Sequence, residues 1–394
     1  MKILYLTSGT KLHGGATKSL LNLMRYVVGE GHDVILVCPN KEGVYKYIKD
    51  GNLPGADAIS LDYTYDILPF LDSAKDYALF LPRLLKRVVK NRLAARKLAE
   101  YCKANSVDLI HSNTSVNNIG YLAALKLGLP HVWHIREYGK KDFRMIVPFQ
   151  KKKLNAPRNY VICITKDIMN YKGIRQDSEH RNIYNGIVAG SSLRYNSTPE
   201  RYFLYAGSVT ERKGIIDLLE AYKGYLRNTG ENPARLKIAG NIPAHSIDLV
   251  SRKLKELGIE EYVELLGPRD DVGDLMYDAL AVIVPSKFEG FGRVMPEAMA
   301  NGALVIGRNT GGTREQLDNG LELKGEEIGL RFESVQDLVD CLVDVDRNGK
   351  EAYRTMIEKS QEVVQSLYSN EEYGRRVNEF YCFILNNLYF QNGI

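Results

Sequence analysis

The sequence has little of what would place it outside a cell or around a metal. Its five cysteines (Cys38, Cys102, Cys163, Cys341, Cys382) are odd in number, widely spaced and without CxxC, so reduced thiols are expected rather than a disulfide framework. No apolar run approaches the ~20 residues that span a bilayer. The opening MKILYLTSGT has one lysine and a short apolar run, then polar and glycine residues, which predicts a buried first strand and not a signal peptide. HExxH and clustered Cys/His are missing, so no metal is expected. The DVD at 344–346 continues the amphipathic pattern VQDLVDCLVDVD and reads as surface charge. GxGxxG followed by an acid after the second strand is missing, which disfavours a dehydrogenase. Gly9 and Gly14 have P-loop spacing, but Gly15-Ala16 stand where that loop needs Lys and Ser/Thr. No RNP, zinc-finger or helix-turn-helix pattern is present, so nucleic acid is not an expected partner. The chain also lacks repeats, low-complexity tracts and a strong charge of one sign, the net value being +5.

What is there is globular: 44% hydrophobic and 26% charged residues over 394, a length that suits two domains. Short apolar runs alternate with helical patterns. KILYLT, HDVILVC, VDLIHSN, HVWHIRE and YVICIT read as strands, with ATKSLLNLMRYVVGEG and VNNIGYLAALKLGLP as helices among them. The polar stretch 188–201 reads as a linker. The alternation then restarts with YFLYAGSV, GIIDLLEAYKGYL, ARLKIAG, IDLVSRKLKELG, YVELLG, DLMYDA and LAVIVPS. The expected fold class is therefore α/β, with two doubly wound parallel halves. The domains expected are 1–187, 188–370 and a helical segment, 371–394, packing back on the first. Ligands in such sheets sit at the carboxyl ends of strands, and the glycine clusters fall there.

Charge is unevenly placed. RLLKRVVKNRLAARKLAEY (83–101) and KKDFRMIVPFQKKK (140–153) mix cations with apolar residues. Both read either as solvated helix faces or as a surface resting on anionic lipid.

Four motifs carry candidate chemistry. In PSKFEGFGRVMPEAMANG (285–302), Gly290 and Gly292 let backbone N–H groups approach a ligand, and the following helix adds positive potential. Glu297 at the helix start is explained by the helix dipole; Glu289 is not. A carboxylate accepts both hydroxyls of a vicinal diol, so a ribose and a hexose are natural partners for the two acids. In YAGSVTERKGIIDLLEAY, Arg212 and Lys213 stand beside a helix start, where two cations neutralise a diphosphate and the charge that grows as it leaves. In TSGTKLHGGATKSLLNL, Gly14-Gly15 lie between a strand and its helix. In HSNTS and HIREYG, Asn113, His134, Arg136 and Glu137 end strands, and His131 is read as structural.

Glu, seven residues, Glu, with EGFGRVMPEAMANG and then ALVIGRNTGGTREQL, resembles the signature of retaining GT-B glycosyltransferases, especially family 4. The resemblance implies two Rossmann-like domains facing across a cleft and a nucleotide sugar held mostly by the second, without metal or other cofactor. It implies Glu297 on the ribose and Glu289 on the donor sugar. Backbone groups of Gly290, Phe291 and Gly292 would touch sugar and phosphates, and Gly14 and Gly15 would pass near the donor phosphate. Arg212 and Lys213, beside Gly207 and Ser208, would serve the leaving group. Ser208 stands where the family often has arginine, which leaves Arg212 to share the work with Lys213 or leaves the phosphate site with one cation fewer. Gly240, Asn241 and main-chain groups near Arg269 would flank the nucleobase, His134 would line the sugar pocket, and Asn113, Arg136 and Glu137 would face the acceptor. The function expected is transfer from a UDP-sugar to a hydroxyl of a glycan or polyprenyl-linked oligosaccharide in bacterial surface polysaccharide synthesis. The place expected is the cytoplasm, at the inner face of the membrane. A nucleotide-sugar epimerase and a non-catalytic sugar-nucleotide or glycan-binding protein are the alternatives.

Overall fold

Two parallel sheets organise the chain. The computed structural model describes residues 1–12, 14–68, 73–139, 151–154 and 156–391; residues 140–150 of the second basic stretch and 392–394 lie outside the described residues. The chain divides into two compact units, Met1–Gly186 with Asn370–Ile394, and Ile187–Ser369.

In the first unit the strands are β1 (Lys2–Leu6), β2 (Asp33–Cys38), β3 (Ala56–Ser60), β4 (Leu109–Ser112), β5 (His131–Ile135), β6 (Asn159–Cys163) and β7 (His180–Asn182). The described residues form one sheet in the order β3-β2-β1-β4-β5-β6-β7, with every neighbour parallel. The order reverses at β1, so the switch point lies between β1 and β4. Helices cover both faces, which is why a run such as DVILVC is apolar without alternation. On one face pack Leu20, Leu23, Met24 and Val27 of the helix Gly15–Gly29, joined by Tyr373, Val377, Phe380, Tyr381 and Ile384 of the helix Asn370–Gln391. Their spacing of three and four residues is a helical stripe. Each such side chain stabilises by about 1.5–3 kcal/mol relative to exposure. The two helices touch closely: a Cβ on Gly374 would lie 2.1 Å from the Tyr26 ring.

In the second unit the strands are β8 (Tyr202–Ala206), β9 (Arg235–Ala239), β10 (Val263–Gly267), β11 (Ala281–Val284), β12 (Leu304–Arg308) and β13 (Leu330–Phe332). Their order is β10-β9-β8-β11-β12-β13, again parallel throughout, with the switch point between β8 and β11. The helix Ile215–Asn228 buries Ile215, Leu218, Leu219, Tyr222 and Tyr225 against it. The helix Val335–Asn348 begins with a capping box, Ser334 and Asp337 each bonding the other's backbone N–H. Residues 188–201 belong to this unit, tied by the Arg194 amide to Ala300 and by its guanidinium to Asn301. Among the described residues no helix is long and apolar enough to cross a membrane.

Candidate active site

The loops after β8 and β11 flank the second unit's switch point and are locked together. Gly214, just after Arg212 and Lys213, has φ +78°, and a Cβ there would lie 1.9 Å from the Pro285 carbonyl oxygen. The Lys287 amide donates to the Arg212 carbonyl at 3.1 Å, and Arg212 Nη1 reaches the Phe288 carbonyl at 3.5 Å. This close approach brings Lys213 into an ion pair with Glu289. The two side chains are 24% and 16% exposed, so the pair is sheltered yet open to a ligand.

The Gly-Phe-Gly bend is fixed from below. Phe291 is buried, its ring edge-on to Tyr368 with centroids 5.6 Å apart. The side chain is an anchor and leaves backbone groups for recognition. Gly292 has φ +78°, and a Cβ there would lie 2.8 Å from Glu289 Cγ. Gln316 Nε2 donates to the Phe291 and Gly292 carbonyls at 2.6 and 3.2 Å, and the Gly312 amide donates to the Glu289 carbonyl at 2.9 Å. A Cβ on Gly312 would collide with Gly290 at 2.6 Å. Thr313 Oγ1, close under this bend, is buried without a hydrogen-bond partner. Glu297, in the helix Val294–Ala300, pairs with Arg293 at 3.1 Å. Gln316, Gly312 and Thr313 are given no role by the sequence reading; their motif, TGGTREQ, was the available signal.

Further along the carboxyl edge, a Cβ on Gly240 would lie 1.8 Å from the Gly207 carbonyl, and the Gly240 amide donates to the Gly267 carbonyl at 2.8 Å. Bare backbone thus packs at the ends of β8, β9 and β10. Ser208 and Asn241 are exposed there, the Asn241 carbonyl accepting from the Val209 amide at 2.9 Å. The Arg269 side chain is committed to Asp271, which it grips with Nε and Nη2. A cavity of about 480 Å³ is lined by Ser208, Thr210, Glu211, Arg212, Lys213, Ser246 and Leu249. The structure therefore gathers Arg212, Lys213, Glu289, Gly290 and Gly292 into one neighbourhood, with Ser208 on the cavity that Arg212 and Lys213 share.

The first unit gathers a second group at its own switch point. Gly14 precedes the helix Gly15–Gly29, and Asn113 Nδ2 donates to the Ala16 carbonyl at 3.2 Å. Arg136 spends its guanidinium on protein: Nε on the Asn113 carbonyl at 3.0 Å, Nη2 on Asn113 Oδ1 at 2.9 Å and Tyr373 Oη at 3.2 Å, Nη1 on Asn185. Glu137 accepts from the Ser115 amide and hydroxyl, and burial pushes its carboxyl above the ordinary range. His134 is fully buried and contacts His111, and burial holds both imidazoles well below the usual value. His131 has both nitrogens bonded, to Ser112 and Asn159. Among the described residues no cluster of three His, Cys, Asp or Glu side chains is placed to hold a metal.

Comparison with known proteins fits this arrangement. Residues 13–187 match the model "Glycosyltransferase Family 4" and residues 194–363 match "Glycosyl transferases group 1". N-acetyl-alpha-D-glucosaminyl L-malate synthase of Bacillus anthracis is 27% identical over 74% of this chain and 79% of its own length. Lipopolysaccharide 1,2-N-acetylglucosaminetransferase of Salmonella typhimurium is 27% identical over 62% of this chain and 63% of its own. The chain spans between 29% and 79% of the length of the curated relatives it matches. The crystal structure of Anabaena HepE in complex with UDP and glucose superposes with TM-score 0.71, covering 97% of this chain and 99% of that one at 18% identity. That likeness is one of fold.

Proposed function

The chain belongs to the glycosyltransferases, family 4 in its first half and group 1 in its second, with the two Rossmann-like domains of the GT-B fold. From that premise we propose that it moves a sugar from a UDP-sugar, with retention and without a metal, to a hydroxyl of a glycan or lipid-linked oligosaccharide in surface polysaccharide synthesis.

The observation that carries this reading is the ion pair of Lys213 and Glu289, two residues from separate loops brought together at a switch point. An ammonium has three donors. One engages Glu289, which leaves two for diphosphate oxygens. Arg212 adds a second cation from the same turn. Together they stabilise charge that grows on the departing diphosphate, the work a metal does elsewhere. Glu289 holds hydroxyls of the donor sugar, Glu297 those of the ribose, and amides of the Gly290–Gly292 bend meet the sugar and phosphates. Gly207, Gly240, Asn241 and the backbone near Arg269 line the base side. The acceptor hydroxyl attacks from the face the diphosphate leaves, and a departing phosphate oxygen takes its proton. Solved complexes of Anabaena HepE with UDP and with UDP-glucose favour uridine.

The helix Phe80–Ala104 supports a lipid-linked acceptor. Leu81, Leu85, Val89 and Leu93 repeat every fourth residue and are 71%, 65%, 47% and 50% exposed. Lys86, Arg92, Arg96 and Lys97 are exposed beside them. An apolar stripe edged by cations suits the surface of an anionic bilayer. Arg83, Arg87 and Lys90 are held by Asp76, Ile67 and Asp62 and, with Lys86 and Thr64, line a cavity of about 230 Å³.

Transfer from labelled UDP-sugar tests the proposal in Glu289→Gln and Lys213→Ala. Both are expected to lose transfer while remaining folded. Turnover retained in both, with normal donor binding, overturns the assigned roles.

A further inference from the structure

One carboxylate of the second unit joins a helix, a loop and a strand end. Asp217 is the third residue of the helix Ile215–Asn228, four residues after Lys213. An acid there is ordinarily explained by the helix dipole or by a capping box. Here both oxygens are spent elsewhere. Oδ1 lies 2.9 Å from Lys287 Nζ on the loop after β11, and Oδ2 accepts from Arg308 Nη2 at the end of β12. The Gly214 amide, which a capping box would engage, donates to the Glu211 carbonyl instead.

Arg308 extends the contact. Its Nε donates to the Pro285 carbonyl at 3.0 Å and its Nη1 to the Glu333 carbonyl at 3.3 Å, and its guanidinium carbon lies 5.0 Å from the centroid of the buried Phe332 ring. A planar fork committed in three directions has little freedom to swing. The Pro285 oxygen is the one that faces Gly214. Asp217 therefore holds the loop that carries Glu289 at two points, at Lys287 directly and at Pro285 through Arg308. Glycine at 214 permits the two backbones to approach, but it does not hold them. The Lys287 amide, donating to the Arg212 carbonyl, and the Asp217 carboxylate do. Such spacing matters, because a shift of about 1 Å in a reacting constellation costs on the order of 10²-fold in rate.

We propose that Asp217 is a positioning residue: through Lys287 and Arg308 it fixes the loop after β11 against the Arg212-Lys213 turn, and so sets the pairing of Lys213 with Glu289. The consequence for sugar transfer rests on the function proposed above; the pairing rests on the contacts alone. The groups assigned there to ribose and base, Glu297, Gly240 and Asn241, stand on other segments. Loss of the Asp217 charge is therefore felt in kcat more than in the KM of the donor.

Two variants separate positioning from bulk stability. Asp217→Asn keeps an oxygen for Arg308 and removes the charge that holds Lys287. Lys287→Met cuts the same link from its exposed end, where the fold tolerates substitution. Crystal structures of the full chain, wild type and variants, read the distance from Lys213 Nζ to the Glu289 carboxylate. The expected result is an ion pair in the wild type that opens beyond about 4 Å in the variants. A pair that stays closed in either folded variant overturns the proposal; should Asp217→Asn fail to fold, Lys287→Met decides alone. Rates of transfer from a UDP-sugar give the second reading. In each variant kcat is expected to fall about tenfold with donor KM little changed, and the double variant to be no slower than Asp217→Asn, because both changes cut one link. Unchanged kcat, or a double variant slowed by the product of the single effects, overturns it. An ion pair that opens in the variants of a wild type that transfers from no UDP-sugar overturns the function proposed above and leaves Asp217 as the residue that sets the pair.

Discussion

Lys213 is where the chemistry and the scaffold separate most clearly. Its pair with Glu289 is partly exposed, so it contributes about 1 kcal/mol or less to stability. A cation on a leaving group contributes far more to the transition state. Lys213→Ala is therefore expected to lower kcat on the order of 10²–10³-fold while shifting the thermal midpoint little, a contrast that steady-state rates and calorimetry check together. Lys350 gives the opposite contrast. It is 1% exposed, donates to the Tyr277 carbonyl at 3.0 Å, and burial lowers its pKa to about 8. From about pH 8 up to the unfolded value the unfolded chain binds the extra proton, so stability rises with pH in that window. Denaturant titrations at pH 8 and 9.5 should show wild type gaining on Lys350→Met, by an amount on the order of 1–2 kcal/mol. Equal slopes in both proteins contradict the burial of a charge at this position.

The elements explain which parts of the site could be read from the chain alone. Most strands were legible because a sheet covered on both faces demands apolar runs such as KILYL and AVIV; β3, β7, β12 and β13 were not read as strands, and three of these, ADAIS, HRN and LRF, are short or partly polar. The glutamate pair and the Arg-Lys turn were legible as local motifs. What stayed hidden is long-range. Nothing near Gly214 announces the Pro285 carbonyl that excludes a side chain there, nor does Gln316 announce that it bonds the Phe291 carbonyl. Tyr381 lies far in sequence from His111, which it contacts, and a buried aromatic in a helical stripe reads as ordinary core. Gly214→Ala is expected to destabilise the protein by more than about 2 kcal/mol and to cut transfer, through a collision at 1.9 Å and a positive φ. Gly258→Ala, also at positive φ but with nothing within 4 Å, should cost only about 1 kcal/mol and leave transfer intact. Chemical denaturation of the two variants separates the collision from backbone preference alone.

At the scale of the whole molecule, each unit is a parallel sheet whose order reverses once; Gly14 and Asn113 follow the strands at the first reversal and Lys213 and Glu289 those at the second, while Arg136, Asn241 and Arg269 follow strands further along. The exposed stripe on the helix Phe80–Ala104 adds a surface of different character. Co-sedimentation with phosphatidylglycerol vesicles, but not phosphatidylcholine, is expected for the wild type. Loss of it in Leu81→Asp/Leu85→Asp without loss of folding would assign the contact to this stripe, and equal retention in the variant would remove it.

The central claim is that side-chain cations and backbone amides of the second unit hold the diphosphate of an activated sugar. Calorimetric titration of UDP-, GDP-, ADP- and dTDP-glucose into the full chain, with EDTA present, tests it most directly when repeated on Arg212→Ala/Lys213→Ala. The account predicts that at least one donor, UDP-glucose foremost, binds the wild type in EDTA and binds the folded double variant at least about tenfold more weakly. Equal affinity in the two proteins, or binding that EDTA abolishes, contradicts it.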